Sequence, residues 1–127
     1  MNKDKKDLKI RAYFYALNVI KFIDKLNNKD FVIATLSKQL IRSATSVGAN
    51  IVEAQAASTK KDFANFFSYS LKSANESKFW LGLLRDSGKA KKEIVDILLK
   101  ETNDLSNILG ASIITLRKNI KKNRTGE

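Results

Sequence analysis

No proline interrupts the 127 residues of this chain, and apolar side chains recur along nearly all of it at alternating steps of three and four. Without proline, every backbone amide after the first turn of a helix can join the hydrogen-bond ladder. The spacing puts the apolar side chains on one stripe of each helix. Together these features commit the chain to long helices that pack through narrow seams.

Leu8, Ala12, Tyr15, Val19, Phe22 and Leu26 form the first stripe, on a helix predicted over residues 7–27, and the polar run of residues 27–30 ends it. The second helix, 31–57, starts after Asp30, or after Thr35 if residues 31–34 are a connector, because either side chain suits a helix start. Its stripe is Leu36, Leu40, Ala44, Val47, Ile51 and Ala54. Thr59 and Asp62 have the spacing of a capping box at the start of a third helix, 60–87, with Phe63, Phe67, Leu71, Ala74, Leu81 and Leu84 facing inward. Gly88 suits the left-handed residue that follows a helix end. The fourth helix, 90–122, is expected to turn Ile94, Leu98, Leu105, Leu109, Ser112, Leu116 and Ile120 inward, leaving a loose tail at 123–127. Short connections make neighbouring helices antiparallel, so the predicted architecture is all-α, a single-domain up-down-up-down four-helix bundle.

Within the second helix, residues 42–54 read RSATSVGANIVEA. Gly48, like Gly82 and Gly110, falls inside a predicted helix, where glycine is about 1 kcal/mol worse than alanine. Close approach of another helix or another subunit is the expected compensation. Arg42, Ser46, Ala49 and Glu53 share a second stripe, small in the middle and charged at its ends, and the two charges are too far apart to pair with each other. Asn50 is expected to hydrogen-bond to a neighbouring helix and fix its register. The aromatic runs Tyr13-Phe14-Tyr15, Phe66-Phe67 and Phe79-Trp80 exceed what one stripe can bury. Some rings must therefore face solvent, a nucleic-acid base or a subunit interface.

Charge is the strongest functional signal. Lys and Arg number 24 against 13 Asp and Glu, a formal net charge of +11, and such a surplus attracts polyanions. Lys60 and Lys61 open the third helix; Arg117, Lys118, Lys121, Lys122 and Arg124 close the chain. In the predicted topology the second turn lies beside the end of the fourth helix, which gathers these cations into one basic pole. Cations at a helix end complement its dipole, but Lys60 and Lys61 stand at a helix start and oppose one, which favours a binding role for them. A second cluster, Arg85, Lys89, Lys91 and Lys92, surrounds the third turn.

Several classes of function are disfavoured. The chain has no histidine and no cysteine, which removes the commonest general base at neutral pH, disulfide frameworks, and imidazole or thiolate metal sites. It has no phosphate-cradling glycine loop. No catalytic residue, metal or cofactor is expected, and the protein is not expected to be an enzyme. Residues 1–10 mix both charge signs and lack the apolar centre of a secretory signal. No apolar run approaches the ~18 residues needed to span a bilayer. A cytoplasmic protein without a membrane partner is the expectation.

The series Gln39-Leu40, Arg42, Ala44, Ser46, Ala49-Asn50-Ile51 and Glu53, continued by Ser58, Lys61, Phe63, Phe66 and Glu76, resembles the bacterial four-helix-bundle family encoded by intervening sequences inserted in 23S rRNA genes. The accessory variability proteins of diversity-generating retroelements are similar to that family. The resemblance implies a homo-oligomeric ring, commonly a pentamer, with a basic surface. It further implies RNA or DNA as a ligand and, by analogy with the retroelement relatives, a protein partner such as a reverse transcriptase. It assigns Arg42, Ser46, Asn50 and Glu53 to a structural or interface signature and not to an active site. Gly48 stands where the family often has proline, and Ala54 where it often has glycine.

Overall fold

The computed structural model describes residues 2–124, with the side chains of residues 8–123. Four helices follow one another, α1 (Asn2–Asp24), α2 (Phe31–Gln55), α3 (Lys60–Asp86) and α4 (Lys92–Arg124), with no strand among the described residues. Each helix packs antiparallel on the one before it, and α4 returns to α1, closing a four-helix bundle in which α1 and α4 are the most loosely joined pair.

Local chemistry explains the boundaries. Asp30 caps α2, its Oδ1 accepting from the Ile33 amide at 3.0 Å, whereas the Thr35 hydroxyl lies inside the helix and donates to the Phe31 carbonyl at 2.9 Å. Thr59 caps α3, Oγ1 accepting from the Asp62 amide at 3.1 Å. Gly88 has φ +75°, the left-handed conformation that costs a side chain least when the side chain is absent. The first helix stops at Asp24 and not at 27, because the Asn28 side-chain amide donates to the Ile23 and Leu26 carbonyls at 3.0 and 3.1 Å and closes the last turn. The fourth starts at Lys92 and not at 90, because the amides of Lys89 and Ala90 both turn back to the Leu84 carbonyl. Of the expected tail, 123 and 124 belong to α4, and 125–127 lie outside the described residues.

The first stripe is buried from Leu8 to Phe22, and the α2 stripe from Leu40 to Ala54. On α4 the inward positions differ from the expected ones: Val95 and Ile113 are buried, while Ile94 is 46% exposed and Ser112 only partly covered. The inward run is Val95, Leu98, Thr102, Leu105, Leu109 and Ile113, continuous through a buried threonine that an apolar-only reading steps over.

Buried hydroxyls also define the α2–α3 seam. Ser43, Ser70, Ser73 and Ser77 are all buried. Ser43 Oγ lies 2.8 Å from Ser77 Oγ, and Ser70 Oγ donates across to the Val47 carbonyl at 2.8 Å. Small residues on both sides let the two helices approach closely, and the hydroxyls of Ser43, Ser70 and Ser77 are satisfied by hydrogen bonds. This is the close packing that the small residues of α2 announce. Gly48 contributes less to it than expected: an added Cβ there would sit 3.5 Å from Ala12 Cβ, an ordinary contact, and at Gly82 and Gly110 it would meet nothing within 4 Å.

Candidate nucleic-acid interface

The antiparallel pairing of α3 with α4 brings the start of one to the end of the other. Lys60 lines a recess of about 450 Å³ together with Phe63, Leu116 and Asn119, so the second turn and the last turns of α4 share one end of the bundle. Lys60, Lys61, Arg117, Lys118, Lys121 and Lys122 are all exposed there. The Arg117 guanidinium donates to Ser68 Oγ at 2.9 Å, which fixes its stem against α3. The backbone of Arg124 ends α4, and its side chain lies outside the described residues.

The electrostatics of the two basic clusters differ. Around the third turn, Arg85 Nη1 meets Asp96 at 2.8 Å and Lys92 meets the same carboxylate at 2.6 Å, while Lys89 holds Asp30 at 2.8 Å. The Lys89 ammonium and the Ile33 amide hold the Asp30 carboxyl below its ordinary value; Lys92 and Arg85 do the same for Asp96. Arg85, Lys89 and Lys92 of that cluster are thus held in ion pairs within the fold, and Lys91 alone of the four makes none among the described residues. At the other end, no Asp or Glu occurs between Asp104 and Glu127, and Lys60, Lys61, Lys118 and Lys121 make no ion pair among the described residues.

The signature residues of α2 lie elsewhere, on its outer face. Arg42 and Glu53 are exposed. Ser46 Oγ donates to the Arg42 carbonyl at 2.8 Å, and the Asn50 side-chain amide donates to the Ser46 carbonyl at 2.9 Å. Asn50 is only partly covered and bonds to its own helix and not to a neighbour. The four residues form one outward stripe separate from the basic pole.

Many apolar side chains stay uncovered: Phe31 is 82% exposed, Ile97 71%, Tyr13 66% and Phe79 59%. Sequence periodicity missed Lys21 of α1, Lys25 just beyond its end and Lys91 just before α4, which line one recess with Ile97. Among the described residues, no group of His, Cys, Asp or Glu could hold a metal ion, and no helix is long and apolar enough to cross a membrane.

Comparison with known proteins adds a family. No curated protein matches the chain. Among solved structures, a 1.70 Å crystal structure of a protein with unknown function from the S23 ribosomal protein family of Bacteroides thetaiotaomicron VPI-5482 is similar, with a TM-score of 0.79 and 32% identity, covering 86% of this chain and 96% of that one. A family model described as 23S rRNA-intervening sequence protein matches residues 6–111, a span that includes Lys60, Lys61 and the whole α2 stripe but stops short of Arg117. The chain belongs to the family of 23S rRNA-intervening sequence proteins.

Proposed function

We propose that this protein is a non-enzymatic, cytoplasmic, homo-oligomeric bundle that binds RNA or DNA through phosphate contacts at its basic pole. The observation that carries this reading is the contrast between the two cationic clusters. The fold pairs three of the four cations of one with Asp30, Asp86 and Asp96, whereas the part of α4 that holds Arg117, Lys118, Lys121, Lys122 and Arg124 carries no carboxylate. Like charges gathered at one end repel one another. A polyanion relieves that repulsion and releases its condensed counterions on contact. Assembly into a ring, with five subunits as the family resemblance implies, would repeat the pole around an axis and multiply its avidity.

The test is direct. Changing Lys60, Lys61, Lys118, Lys121 and Lys122 together to Gln should weaken binding of structured RNA about uniformly across sequences while helicity is retained. Unchanged affinity would place the binding surface elsewhere or remove it.

A second reading is supported by the exposed rings of Tyr13, Phe14 and Phe79: the bundle would be a scaffold or accessory subunit for an enzyme such as a reverse transcriptase, with charge serving to steer the partner. Capture of one stoichiometric protein after nuclease treatment, with no RNA affinity in the purified protein, would favour that reading.

A further inference from the structure

At the end of the bundle remote from the basic pole, the loose packing between α1 and α4 leaves a recess of about 650 Å³, within the ~300–1,000 Å³ typical of small-molecule sites. Its floor is apolar, made by Phe22, Leu26, Ile33, Ile94, Ile97 and Leu98. Ile94 and Ile97 are 46% and 71% exposed, so the chain itself leaves this floor uncovered. Lys21, Lys25 and Lys91 stand at the edge, and no carboxylate is among the lining residues. These three lysines make no ion pair among the described residues. Lys89, also at the edge, is held by Asp30 at 2.8 Å.

Two side-chain bridges join the elements that line the recess. On one side Arg11 of α1 reaches across to Glu101 and Asp104 of α4 at 2.7 and 3.7 Å. On the other, the Lys89–Asp30 pair ties the third turn to the start of α2. A docked helix would need an open trough along α1 and α4, and the Arg11–Glu101 bridge crosses that trough. A second copy seated here would have to set carboxylates opposite all three lysines, in a chain with 13 Asp and Glu against 24 Lys and Arg. A small inorganic anion would satisfy the lysines and leave the floor in water. The occupant that satisfies both halves of the recess is compact, apolar along its length and negative at one end.

We propose that this recess binds a free single-chain amphipathic anion, an acyl carboxylate whose chain lies on the isoleucine and phenylalanine floor and whose head group is met by Lys21, Lys25 and Lys91. This site is separate from the basic pole and does not depend on nucleic-acid binding.

Isothermal titration of the full chain with dodecanoate below its critical micelle concentration tests it. Saturable binding at one site per chain is expected, with dodecanol binding more weakly. The Lys21→Gln, Lys25→Gln, Lys91→Gln triple variant should bind dodecanoate about tenfold more weakly, as expected when several exposed ion pairs are removed together, with little change toward dodecanol. Ile97→Glu should abolish both; if that variant fails to keep its helical circular dichroism, the lysine triple variant still decides. Lack of saturable dodecanoate binding by the natural chain, or equal affinity in the triple variant, overturns the proposal. So does co-sedimentation with phosphatidylglycerol vesicles that Ile97→Glu removes, because the floor would then be a membrane surface.

Discussion

Tyr15 on α1 and Thr102 on α4 meet hydroxyl to hydroxyl at 2.7 Å in the middle of the core. Thr102 Oγ1 also lies 2.6 Å from the Leu98 carbonyl, which can only accept, so the single threonine proton is committed there and the phenol supplies the proton between the two side chains. Ser77 Oγ of α3 donates to the Ser73 carbonyl at 2.9 Å and lies 2.8 Å from Ser43 Oγ of α2. Two hydroxyl pairs thus tie the helices together, Tyr15–Thr102 joining α1 to α4 and Ser43–Ser77 joining α2 to α3, and each fixes the register of the helices it joins.

Tyr15→Phe should destabilise the bundle by about 1–2 kcal/mol, through missing hydrogen bonds and a partner left unmatched, read as a lower urea midpoint at unchanged slope. Burial pushes the Tyr15 phenol above its ordinary value, so the folded state favours the neutral form. That contribution is complete below about pH 10 and is lost as pH rises from there through the folded value. Stability measured from pH 8 to pH 11 should therefore fall more steeply for the natural protein than for Tyr15→Phe, and parallel curves would show the phenol to be uninvolved.

The Lys89 ammonium and the Ile33 amide both favour ionised Asp30. The sign is opposite to that of Tyr15: the contribution is present above the ordinary carboxylate value near pH 4 and disappears as pH falls through the lowered folded value. Asp30→Ala should lower the melting temperature at pH 7 by a few degrees through the missing cap. Asp30→Asn, which retains a capping oxygen, should lower it less. The difference between natural and Ala chains should narrow on acidification to pH 2, and thermal melts at both pH values check it.

Two glycines should respond to alanine with opposite signs. At Gly82 the added methyl meets nothing within 4 Å inside a regular helix, so Gly82→Ala should stabilise an isolated chain by about 0.5–1 kcal/mol. Gly88 holds φ +75°, and Gly88→Ala should destabilise by about 1 kcal/mol through strain that no open space relieves. Denaturant titrations of the two variants side by side check both values.

Where apolar side chains carry the pattern, the fold was legible in the sequence. Leu8, Ala12, Tyr15, Val19 and Phe22 face the core as their spacing dictates, and Asp30, Thr59 and Gly88 punctuate the helices by chemistry local to each. What stayed hidden is polar: Ser70, Ser77 and Thr102 are buried because hydroxyls can bond to carbonyls within a helix and across a seam, and hydropathy alone counts them as surface. Passing over Thr102 left the expected α4 stripe out of step, with Ile94 in place of Val95 and Ser112 in place of Ile113. At the basic pole, sequence and topology sufficed to bring Lys60 to the end of α4, but they could not show that Arg85 reaches Asp96 and Lys89 reaches Asp30 around the third turn, since those pairings depend on how separate elements are rotated.

Exposed rings bear on assembly. Tyr13 and Phe79 are 66% and 59% exposed, and burial of such area between subunits is the simplest way to remove it from water. Light scattering should give a mass several times that of one chain, and Tyr13→Ser with Phe79→Ser should reduce it while far-ultraviolet circular dichroism is unchanged. A natural chain that scatters as a monomer would exclude the ring.

The central claim is that a pole rich in lysine and arginine meets nucleic-acid phosphates, and its most direct measurement is the salt dependence of affinity for single-stranded RNA between about 50 and 200 mM salt. The natural chain should give a line of log affinity against log salt falling by about 0.7 for each phosphate neutralised. The variant with Lys60, Lys61, Lys118, Lys121 and Lys122 changed to Gln should give a slope shallower by up to about 3.5. A flat line for the natural chain, or the same slope in the variant, would contradict the claim.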